Sequence, residues 1–393
     1  MRQEATGSVR RIGQRLHPSR YAVCVLLSGV AAFLCITSGA GTPVAAEPRG
    51  LYRVLTAKLP IPVKHVAAIT CPGVAPSEMV RWPQRPGTPD PSTEAPRLPV
   101  VMVVDKQNHR SRIRLDGDGM VVEPLGNCNP PPAIEHPDQL DGSVAGVGSG
   151  FIAEAWLAVP TLIYRHGILG DVVTAAELRA TNRQGDMLRY RLPDDSVLED
   201  RWARMVYVDR QDAVLVVESG LTTGSSLALF GLDRPATDAH ALVLLAASDP
   251  FGAPHKWLNP VGVADFDGNG HDQIAAVLTP HVGGTLAIYE RKGAKLVERY
   301  HAPGFSNHRI YTSELGMSAI VDANGDGIMD LAVPSADRMA LRVVTFSRGR
   351  FTELQRIPHE SKIDTAIAVQ RLSSAGYGLV YALEDGTVVV LTK

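Results

Sequence analysis

Two segments decide the fold of this chain: Asp265-Phe-Asp267-Gly-Asn269-Gly270-His-Asp-Gln273 and Asp322-Ala-Asn324-Gly-Asp326-Gly327-Ile-Met-Asp330. Both place oxygen-bearing side chains on alternate residues around a glycine turn, which is the spacing of a calcium-binding loop. Calcium takes about six to eight oxygen ligands, and glycine at the sixth position lets the side chains at positions one, three, five and nine converge. The loops begin 57 residues apart, which indicates a structural repeat.

The two loops differ in the charge of their candidate ligands. The candidate calcium ligands are Asp265, Asp267, Asn269 and Gln273 in the first loop and Asp322, Asn324, Asp326 and Asp330 in the second. The second loop therefore supplies three carboxylates and the first only two. Since calcium affinity rises with ligand charge, we expect unequal sites, the tighter one in the second loop. The alternative is two hairpin turns without metal, because Asp-Gly and Asn-Gly are common turn dipeptides.

Short apolar runs frame each loop and predict strands on both sides of it. An EF-hand would instead need flanking helices and a carboxylate at the twelfth loop position, which is Ala276 or Val333 here. Residues 257–346 resemble the FG-GAP or VCBS repeat, the blade unit of integrin-alpha-like β-propellers. Leu315-Gly316 stands in place of the family's Phe-Gly, and Ala332-Val333-Pro334-Ser335 resembles its closing turn. The resemblance implies an all-β propeller with calcium loops in two blades.

The same alternation of strands continues before and after the two loops. Residues 203–217 and 366–382 repeat the pattern without the ligands, which gives four C-terminal blades. The chain upstream of residue 200 leaves room for about three more, and Val100-Val-Met-Val-Val-Asp105 is one predicted strand there. We therefore expect seven blades, with six or eight as alternatives. A propeller usually closes by pairing the two chain ends in one blade.

The N-terminal segment predicts export. A basic leader precedes an apolar stretch at 21–36 and small residues ending in Val44-Ala45-Ala46, so we expect a signal peptide at 1–46 and one propeller domain at 47–393. The alternative is a membrane anchor, although the apolar run is shorter than about 20 residues. We expect a periplasmic or secreted protein without stable membrane insertion after cleavage, and the export route stays open between the general and twin-arginine pathways.

Cysteine and charge patterns fit an exported protein. Cys71 and Cys128 are the only cysteines beyond the leader, and an oxidising compartment favours a disulfide between them. The proline-rich segment at about 72–99 is expected to be an exposed loop. The chain has 39 basic and 41 acidic residues, and the leader removes more bases than acids. The resulting acidic chain is not expected to bind nucleic acid.

Catalytic motifs are absent: the chain has no Gly-x-Ser-x-Gly, His-Glu-x-x-His or Cys-x-x-Cys. Its histidines are scattered singly, and we expect surface or packing roles for His65, His166, His255, His301 and His308. The sequence favours a calcium-binding module for a protein or glycan, with structural calcium and an undetermined oligomeric state. The alternative is a polysaccharide lyase or related hydrolase on the same propeller. Basic and aromatic side chains clustered over the central channel would favour the enzyme.

Overall fold

The computed structural model describes residues 51–69, 100–116, 119–125, 134–233, 241–373 and 376–393. The predicted signal peptide, the proline-rich segment 72–99 and both cysteines of the expected disulfide, Cys71 and Cys128, lie outside these residues. Within them the secondary structure consists of strands and one short 3-10 turn, Ser347–Gly349. No helix in the described ranges is long and apolar enough to cross a membrane.

The strands follow one another as six groups of four antiparallel strands, and the second, third and fourth groups are joined at their edges into one 13-stranded sheet that includes one short parallel pairing. The first three groups contain β2 (Val63–Ile69), β3 (Val100–Asp105), β4 (Arg110–Asp116) and β5 (Gly119–Pro124); β6 (Gly146–Val147), β7 (Ile152–Thr161), β8 (Thr174–Asn182) and β9 (Met187–Arg191); and β11 (Arg204–Val208), β12 (Gln211–Gly220), β13 (Ser225–Leu232) and β14 (Leu242–Ser248). A short strand, β10 (Ser196–Leu198), pairs with β12 and touches β8.

The remaining three groups repeat this order. They contain β15 (Leu258–Ala264), β16 (Gln273–Leu278), β17 (Thr285–Lys292) and β18 (Lys295–Pro303); β19 (Ala319–Val321), β20 (Asp330–Pro334), β21 (Ala340–Thr345) and β22 (Thr352–Pro358); and β23 (Ala368–Ser373), β24 (Gly376–Ala382), β25 (Thr387–Thr392) and β1 (Arg53–Lys58). The first strands of successive groups contact one another, as in β15 with β19 and β19 with β23. This arrangement of radial meander sheets is a β-propeller.

The propeller is closed by its N-terminal strand. β1 pairs antiparallel with β25 from Arg53 opposite Thr392 to Lys58 opposite Thr387, so the chain ends meet in one blade as expected. The described residues form six blades, one of the alternatives, rather than the preferred seven. The difference arises upstream, because β2 and β3 pair with each other within one blade although about 30 residues of sequence lie between them.

The core lies between neighbouring blades. Every residue of β16 and β21 is buried, because each of these strands packs against a blade on either side. Phe266, Phe305 and Phe346 are buried between the fourth and fifth blades. Burying one such side chain contributes about 1.5–3 kcal/mol. The blades therefore form a rigid support for the turns at either end of the strands.

The meander order sorts these turns onto two faces. Turns that join the first strand of a blade to its second strand lie on one face, which carries the segments 265–272 and 322–329. Turns that join the second strand to the third, and the connections between blades, lie on the opposite face. This second face carries the segments 162–173, 249–257, 279–284 and 304–318.

Candidate functional site

The second aspartate-rich loop is held by the side chain of its first residue. Asp322 Oδ1 accepts hydrogen bonds from the backbone N–H of Gly325 at 2.7 Å and Asp326 at 3.1 Å, and Oδ2 accepts one from Gly327 at 3.0 Å. Gly325 and Gly327 have φ of 81° and 82°, a conformation that glycine adopts without steric cost. The sequence thus sets a tight turn around one carboxylate.

Asp330 closes this loop from the start of β20. Its side chain is fully buried, and Oδ2 accepts a hydrogen bond from Ala323 N at 2.9 Å. Oδ1 is also buried and has no hydrogen-bond partner of good geometry. Burial raises the pKa of Asp330 to about 6, against the opposing effect of nearby hydrogen-bond donors. A buried carboxylate oxygen without a partner is costly, and a cation would satisfy it.

The first loop repeats the turn but satisfies its own oxygens. Asp265 accepts hydrogen bonds from Gly268 N at 2.8 Å, Asn269 N at 3.1 Å and Gly270 N at 2.9 Å. Gln273 Oε1 accepts from Phe266 N at 2.7 Å, in the position of the bond from Ala323 to Asp330. The Gln273 amide then donates to Asp267 at 2.8 Å, and the Tyr300 hydroxyl donates to the same carboxylate at 3.0 Å. These donors occupy the Asp267 oxygens that a cation would otherwise take.

The predicted ligands of each loop share one turn around its first aspartate. No three His, Cys, Asp or Glu side chains in the described part of the chain lie close enough together to hold a metal ion. In the second loop Asp326 Oδ1 accepts from Ile328 N at 2.9 Å, and Asp326 Oδ2 accepts from the Asn324 amide at 3.0 Å. Calcium binding there would require these two exposed side chains to turn towards Asp330.

The opposite face carries a cavity of about 150 Å³, which we call the histidine cavity. Its lining comes from four separate connections and comprises His166, Ile168, His255, Lys256, Trp257, Thr279, His281, Val282 and Ile310. His308 lies behind His281, with ring centroids 4.9 Å apart. His166, His255 and His308 are scattered along the chain, but the fold places each of them beside another histidine ring. Their spacing along the chain gave no signal, because only the radial arrangement of blades brings these connections together.

The proton positions of His281 and His308 follow from their partners. His308 Nε2 lies 2.8 Å from the Thr312 carbonyl oxygen, which only accepts, so Nε2 carries the proton. His308 Nδ1 then accepts from His281 Nε2 at 2.8 Å, which leaves His281 Nδ1 without a proton. Burial lowers the pKa of His281 to about 4 and that of His308 to about 3, so both rings are neutral at pH 7.

A buried carboxylate orients the third histidine. His166 Nδ1 lies 2.7 Å from Glu199 Oε1, and Glu199 Oε2 accepts from the Ser219 hydroxyl at 2.6 Å. The His166 ring therefore carries a proton on Nδ1, which it donates to the carboxylate, and its Nε2 is turned away from Glu199. The ring stacks on His255 with centroids 4.9 Å apart, and His255 N donates to the Tyr164 hydroxyl at 2.8 Å.

Backbone strain is concentrated around the histidine cavity. His255, Thr279 and Tyr311 have φ of 67°, 45° and 65°, in the left-handed region that side chains disfavour. The value is most unusual for Thr279, because β-branched residues rarely adopt it. Tyr311 is held by a hydrogen bond from its backbone N–H to Ile168 O at 2.9 Å. Such conformations persist where the surrounding structure imposes them, and they are frequent at binding sites.

Comparison with known proteins does not identify a ligand for the loops or for the histidine cavity. No protein-family model matches the chain, and no curated protein is similar to it in sequence. The structure of BamB from Moraxella catarrhalis is similar at 12% identity and a TM-score of 0.33, over 75% of this chain and 70% of BamB. The WD40 domain of Toxoplasma gondii coronin is similar at 10% identity and a TM-score of 0.32, over 74% of this chain and 65% of that domain. The propeller assignment itself rests on the sheet order and the closure by β1.

Proposed function

We propose that the protein is an exported, calcium-binding β-propeller that serves as a binding or scaffold module for a protein or a glycan. One observation carries the division of roles: the aspartate-rich loops and the histidine cavity lie on opposite faces. An ion in the loops would therefore not touch a ligand in the cavity. Its role would be structural, whereas the cavity is supported by rigid blades, as binding sites usually are.

The buried Asp330 supports calcium most directly. Its Oδ1 is a buried carboxylate oxygen without a hydrogen bond of good geometry, although the Thr345 hydroxyl group lies near enough to lower the pKa of this carboxyl, and a cation would satisfy it. Asp322, Asn324, Asp326 and Asp330 would hold the tighter ion. Asp265, Asp267, Asn269 and Gln273 would hold a weaker one, because the Gln273 amide already donates to Asp267. Bound calcium would tie the first strand of each blade to the second and stabilise the folded state by mass action.

The predicted export of the protein and its resemblance to a repeat family also support this proposal. The leader at 1–46 supports export to the periplasm or the exterior, where free calcium is available to loops of moderate affinity. The resemblance of residues 257–346 to FG-GAP or VCBS repeats supports calcium in the fourth and fifth blades. The same compartment supports a disulfide between Cys71 and Cys128.

A second candidate function is a polysaccharide lyase or related hydrolase. The observation that favours it is the Glu199–His166 pair at the cavity, because a buried carboxylate that orients a histidine is also an arrangement for general base catalysis. Turnover of envelope polysaccharides by the purified protein, lost in His166→Gln, would establish the enzyme. Binding without turnover would establish the module.

The structural role of calcium is tested on a single chelated sample. The purified protein is depleted of calcium, its melting temperature is measured, and its capture of envelope components is measured at low temperature. We expect a lower melting temperature with capture intact. Asp326→Ala should remove the response of the melting temperature to calcium, whereas Asp385→Ala, in an exposed turn of the sixth blade, should keep it. Loss of capture while the protein is still folded would refute the structural role.

A further inference from the structure

We infer that the histidine cavity binds a single neutral sugar ring, whose hydroxyl groups form hydrogen bonds with His281 Nδ1 and His166 Nε2. This inference rests on the proposed binding function and specifies the ligand class and the contacting atoms. The Thr312 carbonyl fixes the proton positions of His308 and His281, which leaves His281 Nδ1 as an acceptor. The Glu199 carboxylate binds His166 Nδ1, so Nε2 is the His166 nitrogen that can contact a ligand, and both residues line the cavity.

The hydrogen-bonding groups around the cavity favour a hydroxylated ligand. The lone pair of His281 Nδ1 requires a hydrogen-bond donor, which a hydroxyl group provides. A hydroxyl group can both donate and accept, so a second one can bind His166 Nε2. A metal ion would need a third converging ligand, and the described residues provide no such group. A polyhydroxylated neutral molecule meets these conditions.

Size and apolar surface favour one ring of a sugar. The cavity volume of about 150 Å³ is well below the roughly 300–1,000 Å³ typical of sites for drug-sized ligands. Its rim exposes Val282 at 73%, Ile310 at 44% and, next to Ile310, Tyr311 at 69%. Exposed apolar and aromatic groups at a concave site bind the C–H face of a ring, while the buried nitrogens bind its hydroxyl groups. The strained backbone of His255, Thr279 and Tyr311 holds these groups in place before binding.

The test is a sugar titration of the full-length mature protein monitored by imidazole ¹⁵N NMR. Glucose, galactose, mannose and N-acetylglucosamine are added separately in the millimolar range. We expect at least one of them to cause saturable shifts of His281 Nδ1 and His166 Nε2. His281→Phe removes one acceptor and should weaken binding about tenfold. The matched control, His301→Phe, changes an exposed histidine on β18 and should leave binding unchanged.

A second variant tests the same inference without changing a buried residue, so a loss of binding cannot be attributed to misfolding. Val282→Trp changes an exposed rim residue, so it should fold normally and abolish binding by filling the cavity. If none of the four sugars shifts either nitrogen, or if Val282→Trp binds like the wild type, the inference is overturned. Substoichiometric Zn²⁺ that shifts both imidazoles when no sugar does would also overturn it. The proposed binding function would survive these results if the same protein still captured an envelope component through another surface.

Discussion

Two residues at equivalent loop positions, Gln273 and Asp330, show how one side chain decides whether a turn needs a cation. Both accept a backbone N–H from the second residue of their loop. Gln273 also has an amide group that donates to Asp267, whereas Asp330 has a second oxygen without a partner. We therefore expect the first loop to be stable without calcium and the second to gain stability from it.

The variant Asp330→Asn tests this difference. With calcium present, it should melt below the wild type, because a carboxylate ligand is lost. With a chelator present, it should melt at the same temperature as the wild type or above it, since a neutral amide replaces a buried carboxylate without a partner. Asp385→Asn is the control and should shift both curves equally, because the ion pair with Lys58 that it removes does not depend on calcium. A full calcium-dependent rise in the melting temperature of Asp330→Asn would contradict the assignment.

The buried ion pair between Arg204 and Asp200 is a second prediction at this scale. The side chains are only 3% and 0% exposed, and Arg204 Nη1 lies 2.6 Å from Asp200 Oδ2. Arg204→Ala would leave a buried carboxylate uncompensated and should lower the free energy of unfolding by about 3–5 kcal/mol. The exposed pair of Arg112 with Glu123 is the control, where Arg112→Ala should cost about 0–1 kcal/mol. Equal losses in urea denaturation would show that burial of the pair does not matter.

At the scale of elements, β1 is the strand on which closure depends. It pairs with β25 over six residues and comes from the opposite end of the chain. A protein lacking residues 1–58 would expose the edge of β25 and lose the outer strand of the sixth blade. We expect it to melt at a lower temperature and to aggregate, compared with a protein lacking only residues 1–50. Light scattering and melting curves measure both effects, and identical curves would show that closure by β1 is dispensable.

At the scale of the whole molecule, the stability of the protein at acidic pH depends on three buried histidines that are neutral in the folded state. Burial lowers the pKa of His281 and His359 to about 4 and that of His308 to about 3, from an ordinary value of 6.5. Between about pH 6.5 and 4 these three histidines therefore bind more protons in the unfolded chain than in the folded chain, whereas Asp330, with its pKa raised to about 6, binds more in the folded chain. The stability these residues provide is complete above pH 6.5 and is lost as the pH falls through this window, on the order of 1 kcal/mol per histidine.

The measurement is the free energy of unfolding across that pH range. His359→Gln can keep a hydrogen bond to the Tyr381 hydroxyl and should make the dependence on pH shallower. His301→Gln changes an exposed histidine and should leave the dependence unchanged. If the stability of His359→Gln depends on pH in the same way as that of the wild type, this role for the buried His359 is ruled out.

The sequence alone determined what depends on neighbouring residues. The alternation of ligand residues and glycine in 322–330 fixes a tight turn between two strands, because each contact spans only a few residues. The repeated apolar runs likewise predicted strands, and the resemblance of residues 257–346 to FG-GAP or VCBS repeats implied an all-β propeller. The blade number was less well determined, since the short β6 and the long segment between β2 and β3 obscure the period of the early blades.

Only the tertiary structure decided where the side chains from distant loops meet. His166 and His281 are 115 positions apart in the chain, and no local pattern relates them. They line one cavity because the second and fourth blades direct their turns to the same face. The tertiary structure also distinguished Gln273 from Asp330, since the partner of each atom depends on packing around the loop. Local hydrogen bonding therefore fixed the turns, and the radial packing of blades created the candidate binding site.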